Sequence, residues 1–367
     1  MRVPRPAAAT SSRGPRDEGQ GDAHWLDRRS EAAASRQSRR GGTGARVIWR
    51  RMFALASRGG PQGRLSILIF HRVLPQPDLL FPMEPYAEQF DALVRHLKSR
   101  FAVIPLSDAV RRLRDGTLPP AALAMTFDDG YADNLDVAAP ILRRHGVPAT
   151  VFVATGFLDG DVMWNDVVIE AFRKCPSAEL DLSSIGLGKL SLRSAEERHG
   201  AIDRVLDRLK YQPPAERRQR ADVVLRLAGV SPPRNLMLTR DALRRLAASG
   251  IDVGAHSVTH PILAGLPADD AWREIRDSKR ALEEVLNQAV TCFAYPNGKP
   301  NQDYRDEHVR MVREAGFACA VSTAWGAAGQ GSDVFQLPRF TPWVRQGVKF
   351  DLLLLRNLRH GSERTAG

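Results

Sequence analysis

The stretch L-A-M-T-F-D-D-G-Y-A-D-N, Leu123 to Asn134, runs an apolar strand directly into two adjacent carboxylates, Asp128 and Asp129. A turn needs only one Asp before its Gly, and two like charges side by side repel. The apolar run reads as a buried strand, and in parallel α/β folds reactive side chains gather at the C-terminal ends of strands. The pair is therefore expected at such an end, where something else compensates its charge.

The same pattern repeats outward from this stretch. Short apolar runs at 65–70, 101–104, 122–127, 149–155, 251–255, 290–295, 318–323 and 334–337 alternate with amphipathic segments. Helices are expected over Tyr86–Arg100, Leu106–Asp115 (Ser107 as N-cap) and Asn134–His145, the last closed by Gly146. About eight such strands with helical crossovers predict a (β/α) barrel, with an open doubly wound sheet as the second architecture. No G-x-G-x-x-G follows a strand, so a dinucleotide-binding fold has no support.

The alternation stops between Trp164 and Leu236, a stretch read as a helical insert (164–236) at the barrel mouth, with helices at Glu196–Leu209 and Ala215–Leu227 and Pro-rich breaks at 213–214 and 232–233. It is either a lid or padding. The barrel is expected over 61–344. Residues 1–60 are expected to be a disordered, Arg-rich extension, and 345–367 a basic tail.

The chain's net charge of +11 belongs to these ends: residues 1–60 hold thirteen Arg against five acids, and 61–344 is neutral. The basicity therefore gives no reason to expect a nucleic-acid partner for the body. Ala45–Ser57 suits a basic amphipathic helix that either makes peripheral membrane contact or packs on the neighbouring domain. With no secretory signal or membrane span read, the expected location is the cytoplasm or the cytoplasmic face of the inner membrane. Three scattered cysteines argue against a disulfide framework.

Other strand ends carry reactive groups too: His71 after the first, His256 and His260 after 251–255, Tyr295 and Asn297 after 290–295, and Arg339 after the last. Two imidazoles four residues apart on a helical turn can face one cation. Ser257 stands where a metalloprotease would carry Glu, so the base must come from elsewhere. One Asp of the pair can complete an Asp–His–His metal set, relieving the repulsion, while its neighbour stays free to deprotonate the water. Such a site is built for hydrolysis of an amide or ester.

T-F-D-D-G (126–130) and H-S-V-T-H (256–260) together resemble the polysaccharide deacetylase family, the NodB-homology esterases of carbohydrate esterase family 4. The resemblance spans roughly Leu65 to Phe340 and implies a distorted (β/α) barrel that removes N-acetyl groups from an amino-sugar glycan. It assigns Asp128 as general base and Asp129, His256 and His260 as ligands of a divalent metal: Zn²⁺ first, with Co²⁺ or Ni²⁺ also suited. The family's third motif carries a base-orienting Arg where this chain has Ala294, and its late L-x-H motif has no match. Both departures, with I-F-H-R-V (69–73), are similar to the subgroup acting on bacterial exopolysaccharides such as poly-N-acetylglucosamine. That likeness assigns His71 as general acid. By its strand-end position Arg339 is the candidate replacement Arg; the Asn297 backbone N–H is a candidate oxyanion donor, and Tyr295 either contacts the acetyl methyl or is structural. The competing reading is a catalytically silent carbohydrate-binding or assembly protein on the same barrel, favoured by Ala294 and opposed by the intact Asp, Asp, His, His set. A glycosidase would leave the His pair unexplained.

Overall fold

Strand β1 (Leu65–Phe70) and strand β3 (Ala122–Phe127) pair in parallel along their whole length, and every residue of both is buried. Their apolar runs are continuous because both faces are covered. Leu68, Phe70, Leu123, Met125 and Phe127 join the outer core under the helices, and Leu65, Ile67, Ala122 and Ala124 point to a second cluster inside the curled sheet. The computed structural model describes residues 42–231, 234–342, 347–359 and 365–366.

The parallel sheet continues through β4 (Thr150–Val153), β7 (Asp252–Ala255), β8 (Cys292–Ala294) and β9 (Cys319–Val321) in the order β1-β3-β4-β7-β8-β9, with the short β2 (Ala102–Val103) beside β3. The expected strand at 334–337 forms no regular ladder. Its segment instead spans the gap between the last strand and the first through bridges Val321–Leu337 and Leu68–Phe340. This is the (β/α) barrel that the alternation predicts, distorted as the resemblance implies. Gly254 in β7 is required by the interior: a Cβ there would lie 2.4 Å from the Phe152 ring.

Of the helices, α2 (Ala87–Lys98) covers the outer face, and α3 (Leu106–Arg114) packs Leu106, Ala109, Val110 and Leu113 onto the interior cluster. Arg114 of α3 donates to the Ala318 carbonyl at the start of β9, which places α3 at the N-terminal ends of the strands, opposite the expected site. Ser107 is not its cap: Pro105 precedes the helix and no side chain caps it. The helix expected at Asn134–His145 opens with a π turn (Asn134–Ala138), then continues as α4 (Ala139–His145) into the left-handed Gly146. Helices α8 (Arg240–Ala248), α9 (Ala268–Leu286) and α10 (Asp306–Glu314) complete the crossovers.

Between β4 and β7 the insert forms α5 (Trp164–Lys174), a hairpin β5 (Glu179–Asp181) with β6 (Lys189–Ser191), α6 (Ala195–Leu209) and α7 (Pro214–Leu227). The hairpin is absent from the sequence reading. The insert has its own core, in which Val168, Phe172, Ile202, Val205, Leu209 and Val224 are buried together. The expected Pro break at 232–233 lies outside the described residues.

Helix α1 (Gly42–Ala56) packs Phe53 against Phe101, ring centroids 4.5 Å apart, while Val47, Ile48, Met52 and Leu55 are exposed. The C-terminal segment, read as a tail, carries α11 (Gly347–Arg359). Phe350, Leu354 and Leu358 are buried there, and Asp351 pairs with His96 of α2 and with Arg100 just after it. Most of the segment expected to be disordered, residues 1–41, lies outside the described residues. No helix among the described residues is long and apolar enough to cross a membrane.

Candidate active site

The carboxylate pair sits where β3 leaves the sheet. The Asp128 N–H still bonds the Phe70 carbonyl (2.9 Å), and Asp129 then turns into the left-handed region (φ 78°). Four of the eight positive-φ non-Gly residues described belong to the site loops: Asp129, Ser257, His260 and Asn297. Such backbone is uncommon for non-Gly residues, though Asp, Asn and His adopt it more readily than most, and it collects where geometry is imposed for function. The kink sends the two neighbouring carboxylates in different directions.

Asp128 meets Arg339. The guanidinium forks onto both its oxygens, Nη1–Oδ1 2.7 Å and Nη2–Oδ2 2.8 Å, while Nε donates to the Ser322 carbonyl (2.8 Å). Both residues are almost fully buried. Burial by itself would raise the Asp128 pKa, but Arg339 and then His256 outweigh it and hold the carboxyl below its usual range. The segment that closes the barrel brings Arg339 here, so a guanidinium reaches Asp128 although residue 294 is Ala.

Asp129 has no such partner. Its Oδ1 is buried without a hydrogen bond and faces the Nε2 atoms of His256 and His260, each at 3.5 Å. Burial again opposes ionisation, and the surrounding imidazoles, His71 among them, hold the Asp129 pKa well below its usual value. Nδ1 of His256 lies 2.8 Å from the Ala294 carbonyl, which can only accept, so Nδ1 donates there and Nε2 is the nitrogen turned to Asp129; burial alone would lower the His256 pKa, but Asp128 and Asp129 outweigh it and raise it. Burial lowers His260 to about 4, leaving it neutral at physiological pH.

These residues fit a cation. Three ligand atoms from Asp129, His256 and His260 lie within 4.8 Å of one another. Ligands about 2.1 Å from a tetrahedral ion would stand roughly 3.4 Å apart, close to the two His–Asp separations found here. The buried, unpartnered Asp129 oxygen is the donor that a cation would satisfy.

The His pair is not on a helical turn. Residues 256–262 form an irregular loop in which Ser257 and His260 both have positive φ, and the Ser257 hydroxyl accepts the His260 N–H (3.1 Å). Glu274 of α9 pins this loop. Its Oε2 accepts the Val258 and Thr259 N–H groups, both at 2.8 Å, and its Oε1 accepts the Thr259 hydroxyl (2.6 Å). Nothing local in the sequence marks Glu274, since its role depends on how α9 docks.

A cavity of about 570 Å³ opens over these groups, lined by His71, Asp128, Asp129, His256, His260 and Asn297 from the barrel. Arg339 lies behind Asp128, outside the lining. Tyr295 corrects the reading from sequence: it does not line the cavity but stacks on Tyr304 in the core, centroids 3.9 Å apart, with its hydroxyl donating to the Phe335 carbonyl (3.0 Å). The opposite wall comes from the insert, with Trp164 and Asp166 of α5, Leu206 of α6 and Arg217 of α7. The Tyr131 hydroxyl, two residues past the carboxylates, ties the walls together by donating to Asp166 (3.1 Å). Burial and then the Asp129 charge push Asp166 up to about 7.

Fold and site thus define a parallel barrel with an Asp–His–His candidate cation site and a second, guanidinium-held carboxylate beside it. Residues 115–185 and 193–320, more than half of the chain, match the polysaccharide deacetylase family. A putative polysaccharide deacetylase of Bacillus subtilis, YxkH, is 21% identical over 276 residues, covering 75% of this chain and 70% of that protein. Among solved structures, the Streptococcus pyogenes deacetylase PplD, in complex with acetate, aligns with TM-score 0.53 and 19% identity over 80% of this chain and 98% of its own. IcaB from Ammonifex degensii aligns with TM-score 0.51 and 16% identity over 81% and 97%. The chain belongs to the polysaccharide deacetylase family, and its barrel is of that family's type.

Proposed function

We propose that the chain is a divalent-metal-dependent hydrolase that removes N-acetyl groups from an amino-sugar glycan. The observation that carries this reading is the separation of the adjacent carboxylates: Asp128 gripped at both oxygens by Arg339, and Asp129 left with a buried, unpartnered oxygen facing two imidazole nitrogens. Asp129, His256 and His260 would hold the cation, for which zinc, cobalt and nickel all suit the donor set. When bound, the cation supplies Lewis acidity and lowers the pKa of water.

The remaining steps belong to this chain's residues. Asp128, kept ionised by Arg339, takes a proton from water as its oxygen attacks the acetamide carbon. The Asn297 backbone N–H would donate to the oxyanion that forms, a role supported by the place of Asn297, in a left-handed turn, in the cavity lining. The C–N bond then breaks as His71, which also lines the cavity, gives its proton to the leaving nitrogen. Acetate and a free amine leave, Asp128 gives its proton up to solvent and His71 takes one back.

The test is acetate release from N-acetylglucosamine oligomers by metal-stripped protein, with and without added Zn²⁺ or Co²⁺, beside His71→Ala. The expected result is release that requires metal and falls about 10²- to 10⁴-fold in the variant. Release indifferent to metal would overturn the site, and full activity in His71→Ala would remove that residue from the acid role.

A further inference from the structure

Three arginines line the cavity, and two are neutralised. Arg72 pairs with Asp133 (2.7 Å), and Arg173 with Asp78 (2.7 Å) and Glu170 (2.8 Å). Arg217, in the first turn of α7, is not. Only 5% of it is exposed, its Nε has no hydrogen-bond partner, and among the described residues no carboxylate forms an ion pair with it. Its plane is fixed on two sides: the guanidinium lies over the Trp164 ring at 4.8 Å, and Nη1 donates to the Lys210 carbonyl at 3.0 Å. The Lys210 side chain lines the same cavity. Asp203 and Asp207 of α6 also reach the lining, but both are exposed to solvent.

A buried charge without a counter-ion is destabilising, and proteins seldom keep one without use. Burial alone lowers Arg217 to about 10, so it remains cationic at neutral pH. A guanidinium held flat, desolvated and without a carboxylate partner is suited to a carboxylate or phosphate oxygen. We propose that Arg217 anchors an anionic group on the glycan, so that the insert selects an acidic amino-sugar substrate over a neutral one. The assignment of this group to the substrate rests on the deacetylase reading above. The anion is either a uronic-acid carboxylate within the chain or a phosphate on the sugar.

Two measurements on the full chain test it. First, metal-stripped protein is titrated calorimetrically with glucuronate and with inorganic phosphate, which keeps either anion from being read through a cation. Wild type is expected to bind one of them, Arg217→Met to bind it about ten- to a hundredfold more weakly, and Arg217→Lys to fall between. No binding by wild type, or equal binding by folded Arg217→Met, overturns the anion site, and Arg217→Lys decides the matter should the Met variant fail to fold. Second, metal-loaded protein is assayed for acetate release from a uronic-acid-containing N-acetyl oligosaccharide, an N-acetylglucosamine phosphate and a neutral N-acetylglucosamine oligomer. The expected result is a higher kcat/KM for the anionic substrate that matches the anion bound, with the anionic-to-neutral ratio falling about tenfold or more in Arg217→Met. An unchanged ratio overturns the substrate assignment. Arg217-dependent anion binding with no acetate from any substrate would uphold the anion site and overturn the deacetylase reading instead.

Discussion

On the barrel wall of the cavity, reactive groups stand at the ends of β1, β3, β7 and β8, placed by strand register, and the charge of Asp128 is matched by a buried Arg339. The insert wall is made of helices that pack around a separate core, and among the buried titratable groups it presents, Arg217 has no ion-pair partner among the described residues. The difference separates two tasks. The backbone of the sheet fixes the chemistry, while helix packing sets what faces the substrate, and each wall is expected to respond to mutation in its own way.

Arg339→Met breaks the barrel side hardest. It strands a buried Asp128 charge and is expected to cost about 3–5 kcal/mol in a denaturant titration. It also shifts the pH dependence. The Asp128 pKa is depressed in the folded chain, so its pairing stabilises above the unfolded value of 3.8 and is lost as pH falls through the folded one. Without the guanidinium the carboxyl titrates higher, and the acid limb of kcat/KM is expected to move up in pH. An unmoved limb would separate Asp128 from the base role.

Phe172→Ala, in the core of the insert, is expected to destabilise by a similar or slightly smaller 3–5 kcal/mol or so. Calorimetric titration with Zn²⁺ should nevertheless give an affinity within about twofold of wild type, because no insert residue belongs to the candidate ligand set. A large loss of metal affinity would show that the two walls are not independent. Glu274→Ala makes the converse cut. It frees the His256–His260 loop without touching a ligand, and metal affinity is expected to fall about ten- to a hundredfold. The smallest effect belongs to Tyr295→Phe, which loses one hydrogen bond to the Phe335 carbonyl, about 1 kcal/mol of stability, with no change in acetate release. A selective loss of activity there would return Tyr295 to the pocket.

This contrast also explains what could be read in the sequence. A buried parallel strand must be apolar throughout, so the runs around Leu65–Phe70 and Ala122–Phe127 announce the barrel, and their ends announce His71, Asp128 and Asp129. The partnership of Arg339 with Asp128 is weaker in the sequence, because it depends on an irregular segment bridging the last strand to the first. Tyr295 follows a strand as a pocket residue would, and only Tyr304, nine positions on in a loop, draws it into the core. The His loop imitates helical spacing while its backbone turns left-handed at Ser257 and His260. Glu274, Trp164 and Arg217 leave no local trace. Each sits on a helix, and its meaning arises only when that helix docks.

The division of labour between the adjacent carboxylates is tested most directly by comparing Asp128→Asn with Asp129→Asn for calorimetric Zn²⁺ affinity and for acetate release. Asp129→Asn is expected to lose both. Asp128→Asn should keep metal affinity within about tenfold while release falls about 10²- to 10⁴-fold. Equal loss of metal in the two variants, or undiminished release by Asp128→Asn, would contradict it.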